Sequence, residues 1–364
     1  MKRRDFIINS AGVLGAAPLL ARAATPCPVP QLSVEGGDAV TTACSNADLT
    51  QACASLSAGQ STDFSSGGQS AFNEADLAWQ TSFHHDDLHG LVHLMGKPAN
   101  SDNQWKHEYY TLATNRWTVV GTSMWDNPGH IYGNFTMDPL TGDVFQQRST
   151  GGSDHPRQLA WWKFSTKTWG FGPPSGEIYS GAMETHANGI AFHPNLYGPG
   201  DGGAVWNEQA IIHCWRKSTN AIQHISYSYG ATGEKESAAV YWPSQNKVII
   251  GGANGSSLCS ISPNGGGTPI LTMLSRPPIT TGGHSHESNS NFGSLHVHPG
   301  NPSKLLIVET VGQRAYTSTN GTSWTQVSNH PFTAEPRVVC SLRGGLGALW
   351  AIAPGYSRLW KPAA

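Results

Sequence analysis

The stretch SLHVHPGNPSKLLIVE, residues 294–309, carries the pattern that decides the fold: a strand-like run, a proline at a tight turn, and a second apolar strand. Three segments repeat it: NFTMDPLTGDVF (134–145), GIAFHPNLYGPGDGGAVW (189–206) and AAVYWPSQNKVIIGG (238–252). Pro139, Pro194, Pro243 and Pro299 follow one another at intervals of 55, 49 and 56 residues. Such an interval is typical of repeat architectures in which each repeat is one supersecondary unit.

Two proline-free segments extend the series to six units: TSFHHDDLHGLVHLMG (81–96) and VVCSLRGGLGALWAIA (338–353). A polar turn recurs in phase with them, in TLATNRW (111–117), KFSTKTW (163–169) and RKSTNAI (216–222), and its closing positions are 52 and 53 residues apart. Each unit therefore predicts four strands, with the polar turn between the third and the fourth. This is the pattern of one β-propeller blade.

We predict an all-β fold, a β-propeller with six blades of four antiparallel strands. The 42 Gly and 23 Pro, against 13% charged residues, favour many turns and strands. A β-sandwich would not keep both landmarks at a period near 50, and a seventh blade from residues 30–75 is the alternative. Six inner strands are predicted, near residues 79–84, 131–137, 187–192, 236–242, 291–297 and 337–342.

The last unit is one strand short at the end of the chain. A segment within residues 61–71 could supply the missing outer strand and close the ring, which removes exposed sheet edges. Residues 24–75 are rich in Ser, Gly, Ala and Thr and are interpreted mostly as a linker. The predicted domains are an export signal (1–23), this N-terminal segment (24–75) and the propeller (76–364).

The first 23 residues have the pattern of an export signal. Basic residues at 2–4 precede a modest apolar run at 6–20 that is too short to span a bilayer, and Ala21-Arg22-Ala23 offers a cleavage site. The Arg3-Arg4 pair resembles a twin-arginine signal, with an ordinary secretory signal as the alternative. Both predict a periplasmic or secreted protein. The six cysteines permit disulfides there: Cys27, Cys44, Cys53, Cys214, Cys259 and Cys340.

The inner strands of a propeller converge on a central channel, so the residues that open them share one rim. His130 and His186 lie nine and eight residues before their prolines and are expected at the same rim. With Tyr132 they form the candidate catalytic set, because imidazole titrates near neutral pH. The alternative is that these groups only hydrogen-bond loop backbone and channel water. Candidate substrate-binding residues around them are Trp79, Asn134, Asn188, Glu236 and Arg337.

A metal site is a further prediction. His284, His286 and Glu287 supply two imidazoles and a carboxylate, a set that suits zinc or copper. The cofactor expected from it is a divalent metal: zinc, copper or calcium. HxH spacing does not require a metal, because His296 and His298 show it within the strand repeat, where residues two apart point the same way.

The 13 Trp and 10 Tyr favour a polysaccharide or oligosaccharide partner, because sugar faces stack on aromatic rings. A net charge of −2 and a sequence pI near 6.7 provide no basic stripe for nucleic acid. We expect no nucleic-acid partner, no membrane span and a monomer.

The turns that end in Trp117 and Trp169 look like kelch-type repeats, and TSTNGTSW (317–324) resembles the Asp-box of sialidase-type propellers, with Thr319 in place of Asp. Sialidase chemistry would need an arginine triad, and Arg337 is the one obvious candidate. The set of rim histidines and tyrosine is similar in kind to propeller polysaccharide lyases such as the ulvan and oligogalacturonate lyases. That resemblance is architectural and does not establish function.

The function expected is that of an exported carbohydrate-active enzyme, a lyase that cleaves a uronate-containing glycan by β-elimination. His130 or His186 would act as base and Tyr132 as acid, while Arg337 with Asn134 or Asn188 steadies the carboxylate. A non-catalytic propeller that binds glycan or protein is the first alternative. A metal-dependent oxidoreductase centred on His284 and His286 is the second.

Overall fold

The fold was analysed in a computed structural model. Its description covers parts of the unit Ala39–Ala364. The residues described are 48–64, 82–96, 106–122, 135–138, 141–147, 158–174, 184–186, 190–195, 209–216, 221–228, 238–251, 258–264, 267–275, 278, 294–309, 313–332, 338–353 and 356–364.

The chain begins its described part with helix α1 (Leu49–Ser55) and strand β1 (Ser61–Asp63). The first blade contains β2 (Ser82–Asp86), β3 (Leu91–Gly96), β4 (Lys106–Thr111) and β5 (Arg116–Thr122). The second blade contains β6 (Phe135–Met137), β7 (Val144–Gln147), β8 (Gln158–Lys163) and β9 (Thr168–Pro174). The third blade contains β10 (Glu184–His186), β11 (Ile190–Asn195), β12 (Gln209–Arg216) and β13 (Ala221–Ser228).

The fourth blade contains β14 (Ala238–Trp242), β15 (Lys247–Gly251), β16 (Leu258–Asn264) and β17 (Gly267–Leu274), with a short 3₁₀ helix, Pro243–Gln245, after β14. The fifth blade contains β18 (Ser294–Val297), β19 (Leu305–Val308), β20 (Arg314–Ser318) and β21 (Thr325–Asn329). The last strands are β22 (Val338–Leu342), β23 (Ala348–Ala353) and β24 (Tyr356–Trp360). They form one four-stranded sheet with β1, in the order β1-β24-β23-β22, which we call the composite sheet.

These sheets form a closed ring. The inner strands contact one another in the order β2, β6, β10, β14, β18, β22, and β22 returns to β2. All strand pairs within the sheets are antiparallel, as in the β2–β3 and β6–β7 pairs. The prediction of an all-β propeller with blades of four antiparallel strands is therefore confirmed.

The sheets are built in two ways. In the described part of the chain, five blades consist of four consecutive strands each, one fewer than the six units counted in the sequence. The sixth unit supplies only three strands, and β1 takes the outer position of its sheet. This strand lies in the range, 61–71, from which a ring-closing strand was expected. The alternative of a seventh blade from residues 30–75 is wrong, because the described part of that stretch forms α1 and β1 of the composite sheet.

The third blade departs from the repeat pattern. Its inner strand is β10, at Glu184–His186, whereas the range predicted for it was 187–192; each of the other five predicted ranges overlaps its observed inner strand. Pro194 lies within β11 instead of in the turn after the inner strand. β11 pairs with β10 only through Ile190–Phe192, so Pro194 lies where no hydrogen bond to β10 is required of it.

The recurring polar turns connect the third strand of a blade to the fourth, as predicted. In the first two blades the turn needs one residue in the left-handed region, which is Asn115 (φ 53°) and Lys167 (φ 57°). In the fifth blade, where the sequence resembles an Asp-box, the side chain of Asn320 stabilises the turn. Its side-chain oxygen accepts hydrogen bonds from the backbone N–H groups of Thr322 and Ser323, at 2.9 and 2.8 Å.

The tryptophans that follow these turns pack against the neighbouring sheet. Trp117 contacts Trp350 of the composite sheet, with ring centroids 5.9 Å apart. Trp169 lies 6.2 Å from His107 of the first blade, and Trp324 donates to the backbone oxygen of Ser275 at the end of the fourth blade. The recurring aromatic residue therefore joins one blade to the next.

The seam between the first blade and the composite sheet holds an aromatic cluster centred on Trp350. Trp350 is fully buried, and its ring contacts Phe64, Phe83 and Tyr110 at centroid distances of 5.4, 5.0 and 5.4 Å. Its indole N–H donates to Ser357 Oγ at 2.8 Å, so the one polar atom of the ring is satisfied. This cluster ties the N-terminal segment, the first blade and the C-terminal strands together.

Helix α1 packs over the same seam. Its buried residues Leu49 and Cys53 belong to the core cluster around Trp350. The N-cap, Asp48, accepts a hydrogen bond from Thr50 N–H at 2.8 Å, and Leu49 N–H donates to Asn115 Oδ1 of the first polar turn at 3.2 Å. The helix is thus anchored to the first blade while β1 belongs to the composite sheet.

The described cysteines are buried thiols. Cys53, Cys259 and Cys340 form no disulfide with one another, and burial raises the pKa of the Cys53 thiol to about 12. The disulfides that the even cysteine count permits therefore do not arise within this described set. Among the described residues, no helix is long and apolar enough to cross a membrane.

We predict that proline at position 62 weakens the seam. Phe64 N–H donates to Ser357 O at 2.8 Å, and because inward-facing N–H groups alternate along an antiparallel strand, the N–H of Thr62 also faces β24. Thr62→Pro should therefore remove one ladder hydrogen bond and lower the free energy of unfolding by about 1–3 kcal/mol, measured by urea denaturation.

Ser61→Pro is the matched control, because the N–H of Ser61 faces away from β24 and proline is tolerated on the open side of an edge strand. Equal destabilisation by the two prolines would contradict the role of the ladder.

Candidate functional site

Most of the predicted site residues fall outside the described part of the chain. His186 is the exception in its backbone: it is the last residue of β10 and pairs with Ile190 of β11. The residues outside the described ranges are Trp79, His130, Tyr132, Asn134, Asn188, Glu236, His284, His286, Glu287 and Arg337.

The position of His186 corrects one step of the sequence argument. It was expected at the start of an inner strand, but it is the last residue of one, because the inner strand of the third blade is β10. Propeller blades are related by rotation, so the inner strands run in one direction. We call the end where each inner strand turns into the second strand the outgoing end of the channel. The backbone of His186 lies at that end.

At the outgoing end, the structure brings together side chains from three inner strands. His85 is the fourth residue of β2, His296 is the third of β18, and Arg343 directly follows β22. The backbone N–H of Arg343 donates to His85 Nδ1 at 3.0 Å. Ser341 Oγ, two residues earlier, donates to the backbone oxygen of Val297 at 2.8 Å, which fixes β22 against β18.

The hydrogen bond to His85 settles its tautomer. Because Nδ1 accepts, the proton of the neutral ring lies on Nε2, and this atom is buried without a hydrogen-bond partner among the described residues. His85 is only 3% exposed, and burial lowers its pKa to about 4, opposed by the charge of Asp87 and assisted by that of Arg343. At neutral pH, His85 is therefore an uncharged N–H donor.

His296 is in a similar state. It is 8% exposed, and its Nε2 also lacks a hydrogen-bond partner among the described residues. Burial is the main cause that lowers its pKa to about 3, and electrostatic interactions with His84 and Arg343 lower it further. His84 belongs to the first blade and His296 to the fifth. Their electrostatic interaction therefore spans β22, the inner strand of the composite sheet.

A second cluster lies between the first and second blades and contains Asp86 and three histidines, His89, His93 and His107. Asp86 accepts from His89 N–H at 3.1 Å and lies 2.7 Å from His89 Nδ1, while His93 Nε2 is 3.7 Å away. His93 Nδ1 lies 2.9 Å from His107 Nε2. Asp86, His93 and His107 are fully buried and support the blade interface, whereas the side chain of His89 is partly exposed.

The electrostatics of this cluster favour a charged Asp86 beside neutral His93 and His107. Burial alone would raise the pKa of Asp86, but the interaction with His93, 3.7 Å away, and the hydrogen bond with His89 overcome it and lower the pKa. Burial lowers the pKa of His93, and it lowers that of His107 well below the usual value, with electrostatic interactions with His93 and Lys167 adding to the effect. Protonation of His107 would place a charge in the core, where burial penalises it.

The described part of the chain holds no group of three His, Cys, Asp or Glu side chains that could bind a metal ion. The two histidines of the HxH pair in the fifth blade, His296 and His298, serve different parts of the structure. His296 lies in β18 at the channel, whereas His298 supports the turn after it, where Nδ1 accepts from Gly300 N–H at 3.2 Å. His298 Nε2 lies 3.1 Å from the backbone oxygen of Ala363.

Sequence reasoning passed over the cluster at the outgoing end. His296 was treated as part of the strand repeat, and His84 and His85 were not among the candidate site residues. A usable signal existed, because all three histidines lie on inner strands within the last three positions before the turn region or the proline. The contribution of Arg343 had no such signal, since it depends on the hydrogen bond to His85.

The sequence matches no protein-family model and no curated protein. Its fold is similar to that of an auxiliary nutrient binding protein from Bacteroides thetaiotaomicron (TM-score 0.53, 10% identity, 78% of this chain and 69% of that one). It is also similar to a gluconolactonase from Xanthomonas campestris (0.50, 8%, 78% and 87%) and to a candidate gluconolactonase (0.50, 9%, 83% and 91%). At this identity the likeness shows the fold alone, and the chain is a propeller of the same general architecture.

The buried histidines predict a stability that falls in acid. Their folded-state pKa values lie below the unfolded value of 6.5, so the unfolded chain binds protons first as the pH drops. The free energy of unfolding should decline from about pH 6.5 towards pH 4, by on the order of 1 kcal/mol per pH unit for each such histidine. Urea denaturation across this range measures it.

His296→Gln provides the comparison, because glutamine is polar but does not titrate. Its unfolding free energy should decline less steeply than that of the wild type between pH 6 and 4. Parallel curves for the two proteins would show that His296 does not contribute.

Proposed function

We propose that this protein is an exported, carbohydrate-active propeller that binds its ligand in the central channel. The observation that carries the proposal is the convergence of ionisable side chains from separate inner strands, seen for His85, His296 and Arg343. A closed ring of blades places such groups around one opening, where a polar ligand can be held from several sides.

The similarities in fold are consistent with a carbohydrate ligand. Two of the similar structures are of a gluconolactonase and a candidate gluconolactonase, and the third is of a nutrient binding protein. Fold-level analogy alone does not assign a reaction, so the chemistry has to come from residues of this chain.

The reaction we propose is β-elimination on an acidic glycan. A base, His130 or His186, would take the proton from the carbon next to the uronate carboxylate, and the electron pair would form a double bond as the glycosidic C–O bond breaks. Tyr132 would protonate the departing oxygen, and Arg337 would steady the charge that builds on the carboxylate. Asn134, Asn188, Glu236 and Trp79 are proposed to hold the sugar around this centre.

A non-catalytic glycan-binding propeller is the second candidate. The observation that favours it is the position of His186 at the end of β10, because a base at the outgoing end would not share a rim with residues that precede β6. The same ligand could then be bound without turnover. The metal site at His284, His286 and Glu287 stays a prediction, as do the export of the protein and its monomeric state.

The elimination reaction predicts a specific product. Incubation of the purified protein with polygalacturonate should produce the ultraviolet absorbance of a conjugated unsaturated uronate, whereas a neutral glycan such as starch should not react. His130→Ala should lower the rate about 100-fold or more, because removal of a general base has at least this cost. His186→Ala decides whether the base is His186 instead.

Thr114→Ala, an exposed change in the polar turn of the first blade, serves as the control and should keep full activity. Thermal melting of each variant separates loss of chemistry from loss of folding. Full activity in both histidine variants would refute the catalytic assignment, and saturable glycan binding without any product would favour the binding propeller.

A further inference from the structure

We propose that Arg343, His85 and His296 form an anion-binding site at the outgoing end of the channel, and that this site takes the carboxylate of an acidic ligand. This inference rests on the proposed function and deepens it, because it names the chemical group of the ligand that these three residues would hold. None of the three belongs to the predicted catalytic or substrate-binding set.

The first argument is the state of Arg343. Among the described residues, its guanidinium forms no ion pair, whereas Arg314 and Arg358 pair with Glu309 and Asp63. Its backbone is held by the hydrogen bond from its own N–H to His85, so the base of the side chain has a fixed position. A guanidinium with five N–H donors and a fixed origin is suited to hold a carboxylate.

The second argument is the pair of buried imidazoles on either side. His85 Nε2 and His296 Nε2 are both buried without a hydrogen-bond partner among the described residues. Buried polar atoms are nearly always hydrogen-bonded, so these two nitrogens, on the inner strands that flank β22, indicate a partner that the described residues do not supply. His85 presents an N–H there because its Nδ1 accepts. A neutral His296 can present one as well, when its proton lies on Nε2.

The charges select the class of anion. Burial keeps His85 and His296 neutral, so the permanent positive charge of the site is the single charge of Arg343. One charge with two neutral N–H donors matches a carboxylate, which carries one negative charge and two acceptor oxygens. A phosphate dianion would keep a second, uncompensated charge.

The acidic groups near this site do not fill it. Asp86 is engaged by His89 and His93 on the far side of β2. Asp87 lies against Gly344, where a Cβ atom would meet Asp87 Oδ1 at 1.7 Å, so only glycine fits at this turn (φ 65°). Asp87 acts on His85, but neither carboxylate forms an ion pair with Arg343.

The test is an NMR titration of the purified protein, produced with ¹⁵N-labelled histidine so that its imidazole nitrogens can be observed. Titration with D-glucuronate should shift the Nε2 resonances of two histidines, identified as His85 and His296 by their loss in His85→Gln and His296→Gln. D-Glucose, the neutral analogue, should leave them in place. Acetate should cause the same shifts at higher concentration, because it shares only the carboxylate.

Arg343→Gln should weaken glucuronate binding about 10-fold or more, since hydrogen bonds to charged groups are the strong ones. Arg116→Gln is the matched control, because it removes the same charge from an exposed position of the first blade. Equal affinity in the two variants would overturn the proposal, and so would inorganic phosphate that binds as tightly as glucuronate.

The wild-type titration keeps the proposal falsifiable even where a histidine variant folds poorly: without carboxylate-dependent shifts, no such site exists. The result is independent of turnover. Shifts at His85 and His296 without elimination would support this site and refute only the lyase. Elimination without these shifts would support the lyase and refute this site.

Discussion

The pairing of β1 with β24 is the constraint on which the ring depends. It joins residues 61–63 to residues 358–360, so strands from both ends of the described chain lie in one sheet. Arg358 Nε donates to Asp63 Oδ1 at 2.7 Å across the same pair, although Asp63 is too exposed for this ion pair to contribute much. The larger contribution comes from Trp350, whose buried ring contacts residues of the first blade and of the N-terminal segment.

The blades are held together by aromatic rings at the outside and by buried polar groups further in. Tryptophans that follow the polar turns cross to the neighbouring sheet, as Trp117 does towards Trp350. Between the first and second blades, Asp86, His93 and His107 form a fully buried chain, and the ring of Trp162 lies 5.0 Å from His107. The high histidine content of the sequence therefore serves packing in part, because a neutral imidazole can be buried between blades at a lower cost than a charged one.

The outgoing end of the channel combines groups from separate parts of the ring. It holds two neutral imidazoles and a guanidinium that forms no ion pair among the described residues. The predicted base and acid, His130 and Tyr132, lie outside the described residues. The proposed carboxylate site and the proposed elimination are therefore separate hypotheses that can be tested separately.

The propeller class and the four-stranded blade could be predicted from the sequence, because each blade is a local unit whose strands and turns follow one another along the chain. Pro243 and Pro299 mark the turn after an inner strand, since proline cannot continue a ladder there, and Pro139 lies outside the described residues. Pro194 misled the prediction of the third inner strand, because nothing local shows whether a proline ends one strand or lies within the next, as Pro194 does opposite Ile212 of β12.

The site could not be predicted in the same way, because its residues are neighbours only after the ring has closed. His85 and Arg343 are separated by 258 positions in the chain, yet the backbone N–H of one donates to the imidazole of the other. The burial that keeps His85 and His296 neutral also comes from packing between blades. The sequence by itself determined the repeating unit, whereas the closed ring decided which side chains meet in the channel, because contacts between distant segments depend on tertiary structure alone.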